Sequence, residues 1–342
     1  MTAVLDLAGA PPERPEPADV PRRIDPGKTA VDTVFHGVAS TIGIFVLVLT
    51  GAIGLFLGYQ AIPTLRHYGT HFFTTSAWQP RIDQVGILSV LIGTVTVALV
   101  ALVVAFPLAF LTALFISEYA PSWLKPTLVS LVDLMAAIPS IVVGLWGFFF
   151  LQPHLLYVAH WLNLHLGWFP LFHVTGVDSG AADWQQTRYT ASAFIAGLTV
   201  ATMVIPLACA VMRGVFAQAP LGEREAAYAL GATRWGMIRT VVLPFGRGGI
   251  IGGTMLGLGR ALGETIAVLL IISQAYDVKL RPLEIGTQTV SALIAGNFGE
   301  ATAAQLSALL TAGFVLFLMT LLVNTVAAVF VTRGRSGADT EI

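Results

Sequence analysis

Apolar and polar positions in this chain fall into long blocks rather than a short period. Six mostly apolar blocks of twenty or more residues lie near 35–62, 85–117, 127–152, 190–214, 246–273 and 304–332. Leu, Val, Ile and Ala crowd these blocks without strict alternation. A backbone in lipid must satisfy its polar groups within the chain, so such blocks predict membrane-spanning helices rather than barrel strands. The pattern therefore predicts an all-α, polytopic membrane protein with six transmembrane helices. Pro107 marks a candidate kink in the second block, and the third and fourth hold Pro139 and Pro206.

Composition agrees. Of 342 residues, 56% are hydrophobic and 11% charged, where a soluble domain carries about 25% charged residues. A net charge of -1 gives no footprint for nucleic acid. Cys209, the one cysteine, lies in an apolar block, so it reads as a small buried hydrophobe and no disulfide framework exists. The first thirty residues differ from the rest. They carry mixed charges and Pro11, Pro12, Pro15, Pro17, Pro21 and Pro26, a composition that buries no core. The expected organisation is a disordered proline-rich tail (1–32), a transmembrane domain (33–333) and a short C-terminal tail (334–342). The first apolar block is too long for a signal peptide and no small-residue cleavage site follows it.

Orientation follows from Lys and Arg placement. With the N-terminus in the cytoplasm, the inner segments hold Arg14, Arg22, Arg23, Lys28, Lys125, Arg213, Arg224, Arg234, Arg239, Arg247, Arg333 and Arg335. The outer segments hold only Arg66, Arg81, Arg188, Lys279 and Arg281. Both termini are thus expected in the cytoplasm of a cell-membrane protein. The outer loop near 153–189 is rich in aromatics and carries His154, His160, His165 and His173, whose spacing matches no metal-ligand pattern. This loop, and the one near 63–84 with Phe72, Phe73 and Trp78, read as interfacial segments.

The inner loop, 215–245, is the informative one. Residues from Glu223 to Leu230 are strong helix formers, Gly231 is a helix stop, and a second short helix runs to Leu243, where Pro244 breaks it. The result is a helical hairpin under the membrane, which on physics alone could equally be an amphipathic surface loop. The spacing Glu225-Ala226-Ala227-x3-Gly231-x9-Val241-x-Leu243-Pro244 resembles the EAA signature of ABC importer permeases, with Val241 in place of the usual Ile. The resemblance implies that the hairpin is a coupling helix seated in a groove of the ATP-hydrolysing subunit, with Glu225, Ala226, Ala227, Gly231, Leu243 and Pro244 at the coupling site. The chain itself is not expected to be an enzyme. Gly27-Lys28-Thr29 looks like the end of a P-loop, but Arg22 stands where that pattern needs Gly, and prolines replace the preceding strand. No cofactor is expected here; ATP and Mg would sit on a separate ATPase.

The fifth block carries Arg260 and Glu264. Arg260 lies about twelve residues past the cytoplasmic end of that block, or roughly 18 Å into a layer about 30 Å thick. A charge at that depth is costly and points to function. Glu264 is expected one turn further out, on the same face. The bland reading is an ion pair that locks the helix. The functional reading is that Arg260 lines a path and meets an oxyanion with its planar fork of donors. Glu264 would neutralise Arg260 when the path is empty and accept a proton from hydrogen phosphate, which sulfate lacks. Small residues at Gly249, Gly253, Gly257 and Ala261 recur every fourth position, for close packing within the chain or against a partner.

The run from Gly257 to Val268 resembles the signature of phosphate-specific ABC permeases of the PstC type. So do Ala137 to Gly147 and Met212 to Phe216, and the resemblance covers about 35–332. It implies import of inorganic phosphate. It also implies a PstA-type second permease, a PstB-type ATPase dimer, an extracytoplasmic PstS-type phosphate-binding protein and the lipid bilayer as partners. Another oxyanion, such as molybdate or sulfate, is the alternative within the class. A secondary transporter would call for inverted repeats, which the sequence does not display. A membrane enzyme would call for a catalytic motif such as H-E-x-x-H or G-x-S-x-G, and neither occurs.

Overall fold

A computed structural model describes residues 30–178, 181 and 184–335, with side chains up to residue 330. The expected tails, 1–32 and 334–342, lie almost wholly outside those residues, as does Gly27-Lys28-Thr29. The chain falls into two units, Met1–Ala52 and Ile53–Ile342. In the first, residues 30–52 form the start of helix α1 (Ala30–Tyr68), with every side chain exposed.

The second unit holds the core. Its elements are the rest of α1, the short α2 (His71–Thr74), strands β1 (Trp78–Gln79) and β2 (Gln84–Val85), α3 (Leu88–Leu114), α4 (Lys125–Ala136), α5 (Ser140–Trp146), α6 (Gln152–Leu166) and α7 (Ala193–Phe216). There follow α8 (Leu221–Ala229), α9 (Arg234–Met237), α10 (Leu243–Gly263), α11 (Ile266–Ile271), α12 (Val290–Asn297) and α13 (Ala303–Arg335). Wider π turns extend α3 over Phe115–Tyr119, join α5 to α6 over Gly147–Leu151 and join α9 to α10 over Ile238–Val242. Among the described residues, six helical stretches are long and apolar enough to cross a membrane: Ala30–Tyr68, Leu88–Tyr119, Ser140–Leu166, Ala193–Phe216, Arg234–Gly263 and Ala303–Phe330.

Helix α7 is the centre of the bundle. Its small residues admit α3 and α10 on two sides. A Cβ at Gly197 would fall 2.6 Å from Val100 of α3. The glycine ladder of α10 faces α7: a Cβ at Gly249 would lie 2.5 Å from Val215, and one at Gly257 would lie 2.6 Å from Val204. The ladder therefore packs within this subunit. Large apolar side chains such as Val103, Phe149 and Leu322 remain exposed on the spanning helices, as a surface solvated by lipid tails requires.

Three expectations need correction. The third span lies at 140–166, not 127–152. Pro139 supplies no N–H and disfavours helix at the residue before it, so α4 ends at Ala136 and a new helix starts at Ser140. That helix continues through residues expected in an outer loop. Pro244 does not break the chain either. The π turn just before it shifts the hydrogen-bond register, and the helix runs on from Arg234 to Gly263. Finally, Phe72 and Trp78 are not exposed loop aromatics: both are buried, in one cluster with Val85, Ile87 and Leu309.

Candidate substrate path and cytoplasmic hairpin

The fifth span is broken where its charges lie. Helix α10 ends at Gly263, and Glu264 adopts an extended conformation (φ -67°, ψ 125°) before α11 starts. Arg260 thus lies on the last turn of α10 and Glu264 at its C-cap, so the fifth span is not the one continuous helix that the sequence led us to expect. The physical reason lies in the Gly263-Glu264-Thr265 stretch: glycine is a weak helix former, and the Thr265 hydroxyl bonds back to the Gly263 carbonyl at 3.1 Å.

Glu264 is buried, at 8% exposure. Its Oε1 accepts a long bond, 3.4 Å, from the Ala267 N–H in the first turn of α11. Its carbonyl accepts from the Ser291 hydroxyl of α12 at 2.7 Å. Arg260 is exposed and forms no hydrogen bond or ion pair with any described residue. A resident Arg260–Glu264 ion pair is therefore absent among the described residues. What remains is an exposed guanidinium, without a partner among the described residues, on the last helical turn before a break in a spanning stretch. Such breaks suit ions because they expose backbone dipoles away from lipid.

Between α7 and α10 the sequence forms the expected helical hairpin. Helix α8 ends in a Schellman turn: the Ala232 N–H donates to the Ala227 carbonyl at 3.0 Å and the Gly231 N–H to the Tyr228 carbonyl at 2.9 Å. Gly231 takes φ +82°, the left-handed region that favours glycine. Thr233 then caps α9, accepting from the Gly236 N–H at 3.1 Å. Glu225, Ala226, Gly231 and Pro244 are exposed. Ala227 and Leu243 are half-buried and pack against the core between α3, α4 and α7. Large apolar side chains crown the hairpin, with Leu230 at 89% exposure and Trp235 at 53%.

Sequence reasoning missed what anchors this hairpin. Arg224 donates to Glu118 at 3.0 Å, to the Phe216 carbonyl at 2.6 Å and to the Ala219 carbonyl at 3.2 Å. Glu118 is buried, and its other oxygen accepts from the Ser117 hydroxyl at 2.8 Å. The signal was an acid placed flush against the end of an apolar block. Also unforeseen was an outer latch, in which one Glu284 oxygen accepts from the Thr175 N–H and hydroxyl at 3.0 and 2.8 Å and from Arg281 at 3.3 Å.

Comparison with known proteins agrees with this architecture. Residues 105–336 match the family described as "Binding-protein-dependent transport system inner membrane component". The chain is 37% identical to a phosphate transport system permease protein PstC of Xylella fastidiosa, over 93% of this chain and 96% of that one. It is 38% identical to PstC 2 of Mycobacterium tuberculosis, over 86% and 90%. Its fold resembles a chain in the crystal structure of a bacterial ABC transporter that imports the acidic polysaccharide alginate. There the TM-score is 0.51 and the identity 18%, over 88% of this chain and 99% of the other. A multi-pass helical bundle matched along nearly its whole length by such permeases is a membrane component of an ABC transporter, and the chain belongs to the binding-protein-dependent inner-membrane permeases, among those of the PstC type.

Proposed function

We propose that the chain moves inorganic phosphate into the cell past Arg260, driven by ATP hydrolysis on a separate subunit. The observation that carries this is the free guanidinium at the break of a spanning helix, in a chain whose relatives are phosphate transport permeases. A charge in a spanning segment needs compensation, and a doubly or singly charged oxyanion supplies it. Arg260 and the buried Glu264 are the substrate-path residues; Glu264 receives a hydrogen bond or proton from the protonated anion. The hairpin formed by Glu225, Ala226, Ala227 and Gly231, with Leu243 and Pro244 at its base, docks on the ATPase. The half-burial of Ala227 and Leu243 makes them supports of that hairpin rather than its contact face.

The working complex contains a PstA-type permease completing the path, a PstB-type ATPase dimer holding ATP and Mg, and a PstS-type binding protein outside. Both termini face the cytoplasm, in accord with the Lys and Arg bias. The test is uptake of labelled phosphate and sulfate by proteoliposomes holding the whole complex, with and without internal ATP. ATP-dependent phosphate uptake that sulfate does not compete is the expected result. Uptake by this chain alone, or without ATP, would overturn the reading.

A further inference from the structure

Helix α8 has almost no purchase on the rest of the chain. None of its residues is fully buried, and Ala227 alone packs on the neighbouring core. Its polar anchor is Arg224, which gathers the ends of α7 and α3 through the Phe216 and Ala219 carbonyls and the Glu118 carboxylate. Of these partners only Glu118 belongs to α3, and its side chain is 3% exposed. Burying a charge without a partner is costly, and here Arg224 and the Ser117 hydroxyl supply the partners. Next to it, Arg234 of α9 lies over the Tyr119 ring at 5.1 Å. Both arms of the hairpin therefore hold the π turn that ends α3.

The other end of α3 touches the start of α12, which in turn holds the break in the fifth span. The Thr94 hydroxyl oxygen accepts from the Val290 N–H at 2.9 Å, at the first residue of α12. Gly93 lets this segment approach so closely that a Cβ there would lie 2.1 Å from the Gln288 carbonyl. The next residue, Ser291, holds the Glu264 carbonyl at 2.7 Å. Between these contacts, α3 and its π turn run without interruption from Thr94 past Pro107 to Glu118, a rise of about 36 Å.

We propose that α3 is a strut that joins the hairpin to the substrate path, with Glu118 and Thr94 as positioning residues at its two ends. A displacement of α8 acts on Glu118 through Arg224, shifts α3 along its axis, and moves α12 and the Glu264 backbone through Thr94. This rests on the reading of the hairpin as the element that docks on the ATPase. Two contacts in series on one strut make a specific demand: breaking either one disconnects the same element, so breaking both adds little. Sites this far apart with independent roles add their effects instead.

The experiment uses the whole complex in proteoliposomes and measures ATP hydrolysed per phosphate imported. Glu118→Gln and Thr94→Val are each expected to raise that ratio about fivefold or more, with normal membrane abundance and normal ATPase co-purification. The double variant is expected to match the single ones, and Glu118→Asp to return the ratio towards wild type. A wild-type ratio in Glu118→Gln overturns the proposal, as does a double variant whose effect is the product of the two. Should Glu118→Gln not accumulate, Glu118→Leu with Arg224→Met removes both charges together, a change that spares stability. Normal coupling in that variant overturns the proposal as well. Deletion of 222–234 tests the hairpin reading separately: an ATPase that still co-purifies refutes docking at the hairpin, whatever the ratios are.

Discussion

Glu264 and Arg260 form no ion pair, although only three residues separate them. Helix α10 stops at Gly263, and the Glu264 side chain points to the Ala267 N–H of the next helix. Arg260 stays on the last turn of α10, exposed and without a partner among the described residues. The Arg260 guanidinium therefore has no resident counter-charge among the described residues. Glu264 has a structural task, because its backbone carbonyl ties the break to Ser291 of α12.

The hairpin turn sets a first prediction. Gly231 has φ +82°, and a Cβ there would meet nothing within 4 Å. Substitution therefore acts through backbone strain alone. An L-residue in this conformation costs about 1–2 kcal/mol, and a β-branched one more. Gly231→Val should leave insertion and abundance unchanged but reduce ATP-driven uptake severalfold, with Gly231→Asn much closer to wild type. Uptake equal in all three proteins would show that the turn does not shape the docking surface.

How much of this could be read from sequence depends on the range of the interaction. The Gly231 turn was legible because a Schellman motif needs only neighbours. The spans were legible as blocks, but Pro139 and Pro244 were treated alike, and only tertiary context separates them. Pro139 follows two residues that leave the helix, whereas a π turn absorbs Pro244. The break at Glu264 hid in a run that is apolar on both sides. The Glu118–Arg224 contact joins residues 106 apart, and the Thr94–Val290 contact joins residues 196 apart. No local period encodes such pairs.

The glycine ladder gives a stability prediction. A Cβ at Gly257 would lie 2.6 Å from Val204, on the buried face between α10 and α7. Gly257→Val overpacks that face and should cost about 1–3 kcal/mol. The cost should appear as lower thermal stability of the purified chain in detergent. Gly252, with nothing within 4 Å of its Cβ position, should accept Ala without loss. Equal melting of Gly257→Val and wild type would place the ladder against something other than α7.

The outer latch predicts a pH dependence. Burial would raise the Glu284 carboxyl, but the Thr175 N–H and hydroxyl and the Arg281 guanidinium outweigh it and hold it below its ordinary value. A carboxyl lowered by folding contributes stability that is fully present above the unfolded value, about 4.3, and is lost as pH falls through the lower folded value. Protection of the Thr175 amide from hydrogen exchange, corrected for intrinsic rate, should therefore be flat above about pH 5 and fall below about pH 4. In Glu284→Gln it should be reduced and independent of pH across that range. A pH-dependent fall that persists in Glu284→Gln would assign the latch to another group.

Arg260 carries the sharpest prediction. A charge-assisted contact in a site shielded from water is worth about 1.5–3 kcal/mol, or about ten- to hundredfold in a rate or affinity. Arg260→Gln should reduce phosphate uptake by at least that factor, because the path then offers no charge to the anion. Arg260→Lys keeps the charge but loses the planar fork, so it should recover only part of the rate. Glu264→Gln should be milder. Its amide oxygen can still accept from the Ala267 N–H, so the break keeps its shape, while the charge that repels a fully deprotonated anion is gone. Discrimination against sulfate should relax in this variant and in neither Arg260 variant. The measurement is uptake of labelled phosphate and labelled sulfate by the three variants, each in the complete complex and matched for membrane abundance. Near-normal phosphate uptake in Arg260→Gln would move the substrate path away from this helix break, because the other positive charge on α10, Arg247, lies thirteen residues away towards the start of that helix.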